Sequence, residues 1–264
     1  MDFYQWLADA AQRNGSLLCV GLDTRLDRLP AGETLFDFNR RIVDATRDLV
    51  CAYKPNSAFY EVAGPEGLKD LRRTVAYVHE VANVPVILDA KRGDIGSTAE
   101  AYARAAFQTW GADALTVSPY LGDDSLRPFV DVAAQREAGV FVLVKTSNPG
   151  GAMFQDLQVE GRPLYRIVAE YVESLPKASL GPCGYGAAGA VVAADVGRGR
   201  VIADADAGNA LLVDGVQHRG DRVAVQRDDA VEITAVHQQQ VVLVNSGSGQ
   251  ARRAEKQVVA VLAA

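Results

Sequence analysis

Short runs of apolar residues recur along the chain at Leu17–Leu22, Leu49–Tyr53, Val84–Leu88, Ala114–Val117 and Val140–Val144. Shorter ones follow at Ala187–Val192, Ala210–Val213 and Val241–Val244. The five earlier runs are almost continuously apolar rather than alternating, the pattern of strands covered on both faces. Between them lie Thr34–Asp48, Gly64–Val81, Ser97–Trp110, Ser125–Glu137 and Leu164–Leu175, whose apolar positions repeat at helical spacing. In the second, Leu68, Leu71, Val75 and Val78 form one stripe among charges. Ahead of the first strand, Phe3, Trp6, Leu7 and Ala10 make a helical face that Asn14-Gly15 ends, which predicts a capping helix rather than a signal peptide. Eight strand candidates alternating with helices over about 250 residues predict a (β/α)8 TIM barrel, a single domain over residues 1–264. A doubly wound open sheet is the competing fold, but Gly21-Leu22-Asp23-Thr24-Arg25 after the first strand offers no GxGxxG phosphate loop.

Composition narrows the function classes. The chain has 264 residues, 48% hydrophobic and 23% charged, the profile of a globular protein with a full core. A net charge of −6 gives no footprint for nucleic acid or a membrane surface. No apolar stretch reaches the roughly 18 residues of a membrane span. Cys19, Cys51 and Cys183 are too few and scattered for a disulfide framework. His79, His218 and His237 show no metal-ligand spacing. These features predict a cytoplasmic protein whose histidines take surface or helix roles. One imbalance stands out: every aromatic and every proline lies at or before Tyr185, and the last 79 residues contain neither.

In a barrel, side chains at the C-terminal ends of the strands converge on one mouth, where chemistry concentrates. The polar residues that follow the first five runs are Asp23, Lys54, Asp89 with Lys91, Ser118, and Lys145-Thr146-Ser147. The chain has only six lysines, and three of them close strands. Asp89 and Lys91 are two apart, so in an extended strand they share a face. An aspartate and a lysine on the inward face of an apolar strand must either pair or perform chemistry. The segment Asp89-Ala90-Lys91-Arg92-Gly93-Asp94 follows the pattern Asp-x-Lys-x-x-Asp. That pattern is unspecific alone; its specificity comes from its place at a strand end beside Lys54 and Asp23.

Several motifs together carry a family likeness. They are Val20-Gly21-Leu22-Asp23, Tyr53-Lys54-Pro55-Asn56-Ser57-Ala58-Phe59-Tyr60-Glu61, and Asp89 through Thr98. Val117-Ser118-Pro119-Tyr120-Leu121-Gly122, Lys145-Thr146-Ser147-Asn148-Pro149-Gly150 and Gly181-Pro182-Cys183-Gly184-Tyr185 continue the series. Over roughly residues 1–192 the chain resembles the orotidine 5′-phosphate decarboxylase family in its longer bacterial form. The resemblance implies a homodimeric (β/α)8 barrel that converts a small nucleotide substrate, orotidine 5′-monophosphate, to UMP without metal or organic cofactor. It implies Lys91 as the proton donor to C6 of the pyrimidine and Asp89 against the departing carboxylate, with Lys54 and Asp94 completing an alternating charge array. Asp94, Ile95 and Thr98 would reach the neighbouring subunit's site, and Asp23 would contact the ribose. Ser118 would line the substrate site, and the pyrimidine-reading hydroxyl would lie within Thr146-Ser147.

After about residue 192 the likeness fades. The family's phosphate loops usually read Pro-Gly-x-Gly-x-Gln-Gly-Gly and Asn-Ser-x-Arg-Gly. The corresponding stretches here run Val213–Asp221 and Val244–Gly249, with Arg219 where the glutamine is expected and Ser248 where the arginine is expected. Gln217 and Arg219 are the candidate phosphate ligands, and Gly247 and Gly249 would let backbone N–H groups approach. The reading leaves two explanations open: a phosphate half of different build, or a shifted reading frame behind these residues. Competing functions are a Mg²⁺-dependent sugar-phosphate decarboxylase of the same barrel superfamily, disfavoured by the Lys54-Pro55-Asn56 and Ser118-Pro119-Tyr120 motifs, and a non-catalytic nucleotide-binding relative.

Overall fold

The computed structural model describes residues 1–175 and 186–193, together with the backbone of Gln238–Val242 and Val259–Leu262. The expected seventh strand, Ala210–Val213, and the candidate phosphate ligands Gln217 and Arg219 lie outside the described residues, as does Cys183. Helix α1 (Phe3–Asn14) leads into β1 (Leu18–Gly21), α2 (Leu35–Thr46), β2 (Ala52–Lys54), α3 (Ser57–Glu61) and α4 (Gly64–Val81). Then come β3 (Ile87–Arg92), α5 (Gly96–Arg104), β4 (Ala114–Val117), α6 (Asp123–Gln135) and β5 (Gly139–Lys145). A short helix α7 (Ala152–Gln155), a small antiparallel pair β6 (Gln158–Val159) and β7 (Arg162–Pro163), and α8 (Leu164–Ser174) precede β8 (Ala188–Val192), β9 (Gln238–Val242) and β10 (Val259–Leu262).

Among the described residues the main sheet has eight strands in the order β2-β1-β10-β9-β8-β5-β4-β3. Parallel bridges Tyr53↔Val86 and Asn56↔Asp89 join β2 to β3, so the two ends of the sheet meet and it closes. The barrel expected from the apolar rhythm is therefore formed, and the first six strand candidates fall on β1 to β5 and β8. One detail differs from a fully parallel barrel: β9 runs antiparallel to both β8 and β10. The eighth candidate, Val241–Val244, overlaps β9, and the strand that pairs in parallel with β1 is Val259–Leu262, within the apolar run Val258–Ala264 that the strand reading passed over.

Local chemistry sets the element ends. Asp2 caps α1, its carboxylate accepting the Gln5 N–H at 2.9 Å, and Gly15 ends the helix in the left-handed region at φ 58°. Thr34 and Asp37 form a reciprocal capping box on α2. Strand β3 starts at Ile87 rather than Val84 because Pro85 has no N–H to give to the ladder, although its carbonyl accepts the Tyr53 N–H at 3.1 Å. The third predicted helix divides into α5 and a π-helical turn over Ala105–Thr109.

Helix α1 closes the N-terminal end of the barrel. The Phe3 N–H donates to the Glu137 carbonyl at 2.7 Å, just ahead of β5. The Phe3, Tyr4 and Phe141 rings meet edge to face with centroids 4.9–6.0 Å apart. Glycine at the start of β5 makes this possible, since a Cβ on Gly139 would lie 2.5 Å from the Phe3 ring. The opposite, C-terminal end of the strands is left free for the polar residues. Among the described residues no helix is long and apolar enough to cross a membrane.

Candidate active site

Strand β3 carries the centre of the site. Asp89 is 3% exposed and receives three donors: Lys54 Nζ on Oδ2 at 2.9 Å, and Lys91 Nζ at 2.6 Å and Thr116 Oγ1 at 2.9 Å on Oδ1. Its backbone is pinned as well, the Asp89 N–H donating to the Pro55 carbonyl at 2.9 Å. Lys54 ends β2 and is buried; Lys91 is partly open, with its side chain 37% exposed.

The sequence placed Asp89 and Lys91 on one face of an extended strand. They do meet, by a different route. Leu88 pairs with Leu115 but Arg92 pairs with Val117, so four steps along β3 match two along β4 and the strand bulges between them. Lys91 takes up the slack at φ 46°, a left-handed conformation that costs a non-glycine residue roughly 1–2 kcal/mol. The Thr116 hydroxyl holds the bulge: it accepts the Lys91 N–H at 2.9 Å while donating to Asp89. Thr116 was not singled out in the sequence, although a hydroxyl within the apolar run Ala114–Val117 is a usable signal.

Electrostatics set the charge states. Burial alone would neutralise Asp89, but Lys54 and Lys91 outweigh it and hold the carboxyl down at about 2. Burial likewise opposes the Lys54 ammonium, and Asp89 with Asp23 more than compensates, so its proton is held above the ordinary lysine range. Asp23 is the weak member: burial raises its pKa, and Lys54 offsets this only in part. Its Oδ1 is buried with no hydrogen-bond partner among the described residues. The resulting cluster consists of two aspartates and two lysines, Asp23, Lys54, Asp89 and Lys91.

The other sequence candidates occupy the same mouth but not this cluster. Asp94 accepts the Ile95 N–H at 2.8 Å and is not a hydrogen-bond or ion-pair partner of Lys54, Asp89 or Lys91. Ile95 and Thr98, at the start of α5, are exposed. The Ser118 N–H donates to the Arg92 carbonyl at 2.7 Å, closing the bulge. Lys145, the third strand-ending lysine, turns away to pair with Asp156 at 2.5 Å and lies 5.5 Å from the Tyr165 ring centre. Thr146 bonds Asn148 and Gln155, whereas Ser147 is exposed. Among the described residues no group of His, Cys, Asp or Glu is placed to hold a metal ion. Cys19 and Cys51 are buried, and burial pushes both thiols up, Cys51 to about 12, so neither is a nucleophile at neutral pH.

The cost of burying the Asp23 carboxylate is measurable. A carboxyl whose folded pKa lies above its unfolded value weakens the fold as pH rises through the unfolded pKa, and keeps that penalty at neutral pH. Asp23→Asn is therefore expected to raise the urea midpoint at pH 7, with the gain shrinking toward pH 3. Urea titrations at the two pH values check this.

Comparison with known proteins places this geometry in context. The family model described as orotidine 5′-phosphate decarboxylase / HUMPS matches residues 16–260. Orotidine 5′-phosphate decarboxylase of Cupriavidus taiwanensis is 54% identical over 176 residues, which cover 64% of this chain and 63% of that protein. The matched region thus spans less than two thirds of that relative's length. The Rhodopirellula baltica enzyme of the same name is 47% identical over 215 residues, 74% of this chain and 71% of its own. Among solved structures, Leishmania donovani OMP decarboxylase superposes with a TM-score of 0.62 at 43% identity, covering 73% of this chain and 71% of that one. A match over nearly the whole chain, on a closed barrel with the Asp-x-Lys-x-x-Asp strand end at its mouth, means that the chain belongs to the orotidine 5′-phosphate decarboxylase / HUMPS family.

Proposed function

We propose that the chain decarboxylates orotidine 5′-monophosphate to UMP and CO2, a carbon–carbon lyase step of pyrimidine biosynthesis. The observation that carries this reading is a buried, ionised Asp89 gripped by two ammonium groups at 2.6 and 2.9 Å. A substrate carboxylate brought to about 4 Å from Asp89 is repelled by about 4 kcal/mol at an effective dielectric near 20. The C6–carboxylate bond breaks, CO2 departs, and the electron pair stays on C6. Repulsion from Asp89 then disappears, while the Lys91 ammonium stabilises the new charge and delivers its proton to C6. Ground-state repulsion lowers the barrier only if binding is secured elsewhere, and the remote phosphate is the natural anchor. Gln217 and Arg219 are the residues assigned to it.

In this reading Asp23 holds the ribose, and Ser118 with the Thr146-Ser147 segment faces the pyrimidine. Asp94, Ile95 and Thr98 serve a second copy of the chain in a homodimer. That assignment is supported by Asp94's absence from its own chain's cluster and by exposed apolar side chains nearby, Ile95 at 58% and Tyr120 at 82%. The protein acts as one barrel domain in the cytoplasm, with neither metal nor organic cofactor. The test is the loss of orotidine absorbance on mixing protein and nucleotide. The expected result is a decrease that EDTA leaves unchanged. An EDTA-sensitive reaction on a sugar phosphate would favour the Mg²⁺-dependent relative, and no change at high protein concentration would favour a non-catalytic nucleotide binder.

A further inference from the structure

At the end of β5 the chain is clamped by a residue that no motif singled out. The Thr146 N–H donates to Gln155 Oε1 at 3.0 Å, and Gln155 Nε2 donates to Thr146 Oγ1 at 2.9 Å. A carboxamide carries a donor and an acceptor on one planar fork, so it can hold both the backbone and the hydroxyl of a single residue. The Thr146 hydroxyl proton goes to Asn148 Oδ1 at 2.7 Å. The next residue repeats the tie, Asp156 pairing with Lys145 at 2.5 Å, so β5 and the end of α7 are bound at two consecutive positions. Gly151 lies in the crook, where a Cβ would stand 2.8 Å from Thr146 Oγ1 and 3.0 Å from Gln155 Oε1. Only a glycine leaves the clamp undisturbed.

The clamp has a chemical consequence. Thr146 Oγ1 has given its proton to Asn148 and a lone pair to Gln155, while Ser147, the adjoining residue, is exposed at the mouth. We propose that Gln155 is a positioning residue: by fixing Thr146 it presents the Ser147 hydroxyl and the surrounding turn to the base of the bound nucleotide. This inference rests on the decarboxylase reading above and adds to it a residue that governs base recognition without touching the base.

The experiment compares calorimetric binding of UMP and of ribose 5-phosphate, and steady-state kinetics on orotidine 5′-monophosphate. Variants are Gln155→Ala, Gln155→Glu, Thr146→Val and Thr146→Ser. Loss of the clamp is expected to weaken UMP binding and raise KM about three- to tenfold, the range of one neutral hydrogen bond, with kcat and ribose 5-phosphate binding little changed. Gln155→Glu keeps the acceptor but loses the donor and should show the same defect. Thr146→Ser retains the hydroxyl that Gln155 and Asn148 hold and should lose less UMP affinity than Thr146→Val, and Gln155→Ala with Thr146→Val together should be no worse than either alone. Equal weakening of UMP and ribose 5-phosphate, or unchanged UMP binding in Gln155→Ala, overturns the proposal. If Gln155→Ala does not fold, the contrast between Thr146→Val and Thr146→Ser decides in its place. Failure of the wild-type chain to bind UMP sinks the decarboxylase reading itself, an outcome distinct from a wild type that binds and a variant that does not differ.

Discussion

Replacing Lys91 by alanine is expected to lower kcat for orotidine 5′-monophosphate by about 10²- to 10⁴-fold, the range of a general acid, while leaving the barrel folded. The structural grounds for separating the two effects are specific. Lys91 is partly open to solvent, so truncation leaves no closed cavity, and Asp89 keeps its bonds from Lys54 and Thr116. Backbone strain supplies an internal control. Because φ is 46° at this position, glycine should be more stable there than alanine by roughly 1 kcal/mol, with kcat lowered equally in both. Urea denaturation beside the absorbance assay measures both. A Lys91→Ala variant retaining more than about a tenth of wild-type kcat would remove Lys91 from the role of proton donor.

Asp89→Asn should instead damage fold and catalysis together. Lys54 is 2% exposed, and its ammonium is held by the Asp89 carboxylate. An amide of the same shape supplies no charge, and its NH2 faces an ammonium on one side or the other. Leaving a buried ion without its partner costs about 3–5 kcal/mol. The pH dependence separates this from a simple packing defect. Asp89 sits at about 2 in the folded chain against about 3.9 in an unfolded one, so the folded state favours its ionised form. Its contribution, about 2–3 kcal/mol, is complete above the unfolded value and disappears as pH falls from about 4 to about 2. The wild type should lose that increment on acidification. Asp89→Asn should show a shallower loss, because the titrating group is gone. Parallel acid-denaturation curves that differ only by a constant offset would contradict this account.

The barrel's six early strands were legible because a strand buried on both faces must be apolar throughout, and each such run sits between helices with a single apolar stripe. Asp23, Lys54, Asp89 and Lys91 were legible for a related reason: a charge directly after such a run has to be at the barrel mouth. What sequence spacing could not supply is the manner of their meeting. The i, i+2 rule assumed an extended strand, whereas a bulge and a left-handed Lys91 bring the two side chains to one carboxylate. Thr116 and Gln155 escaped notice because a single hydroxyl or carboxamide has no pattern along the chain. Their importance arises only from what lies across the sheet or across the 146–155 turn.

The sequence by itself determined the layered alternation, the closing helix at the floor and the four charged residues at the mouth, because burial imposes periodicity and rarity makes strand-end charges visible. The tertiary structure alone decided three things. It separated Asp94 and Lys145 from the central cluster, it reversed β9 against its neighbours, and it assigned the Thr146 hydroxyl to Gln155 and Asn148. Each depends on a contact between residues from different parts of the fold or across a turn, where direction and distance, rather than residue type, set the energy.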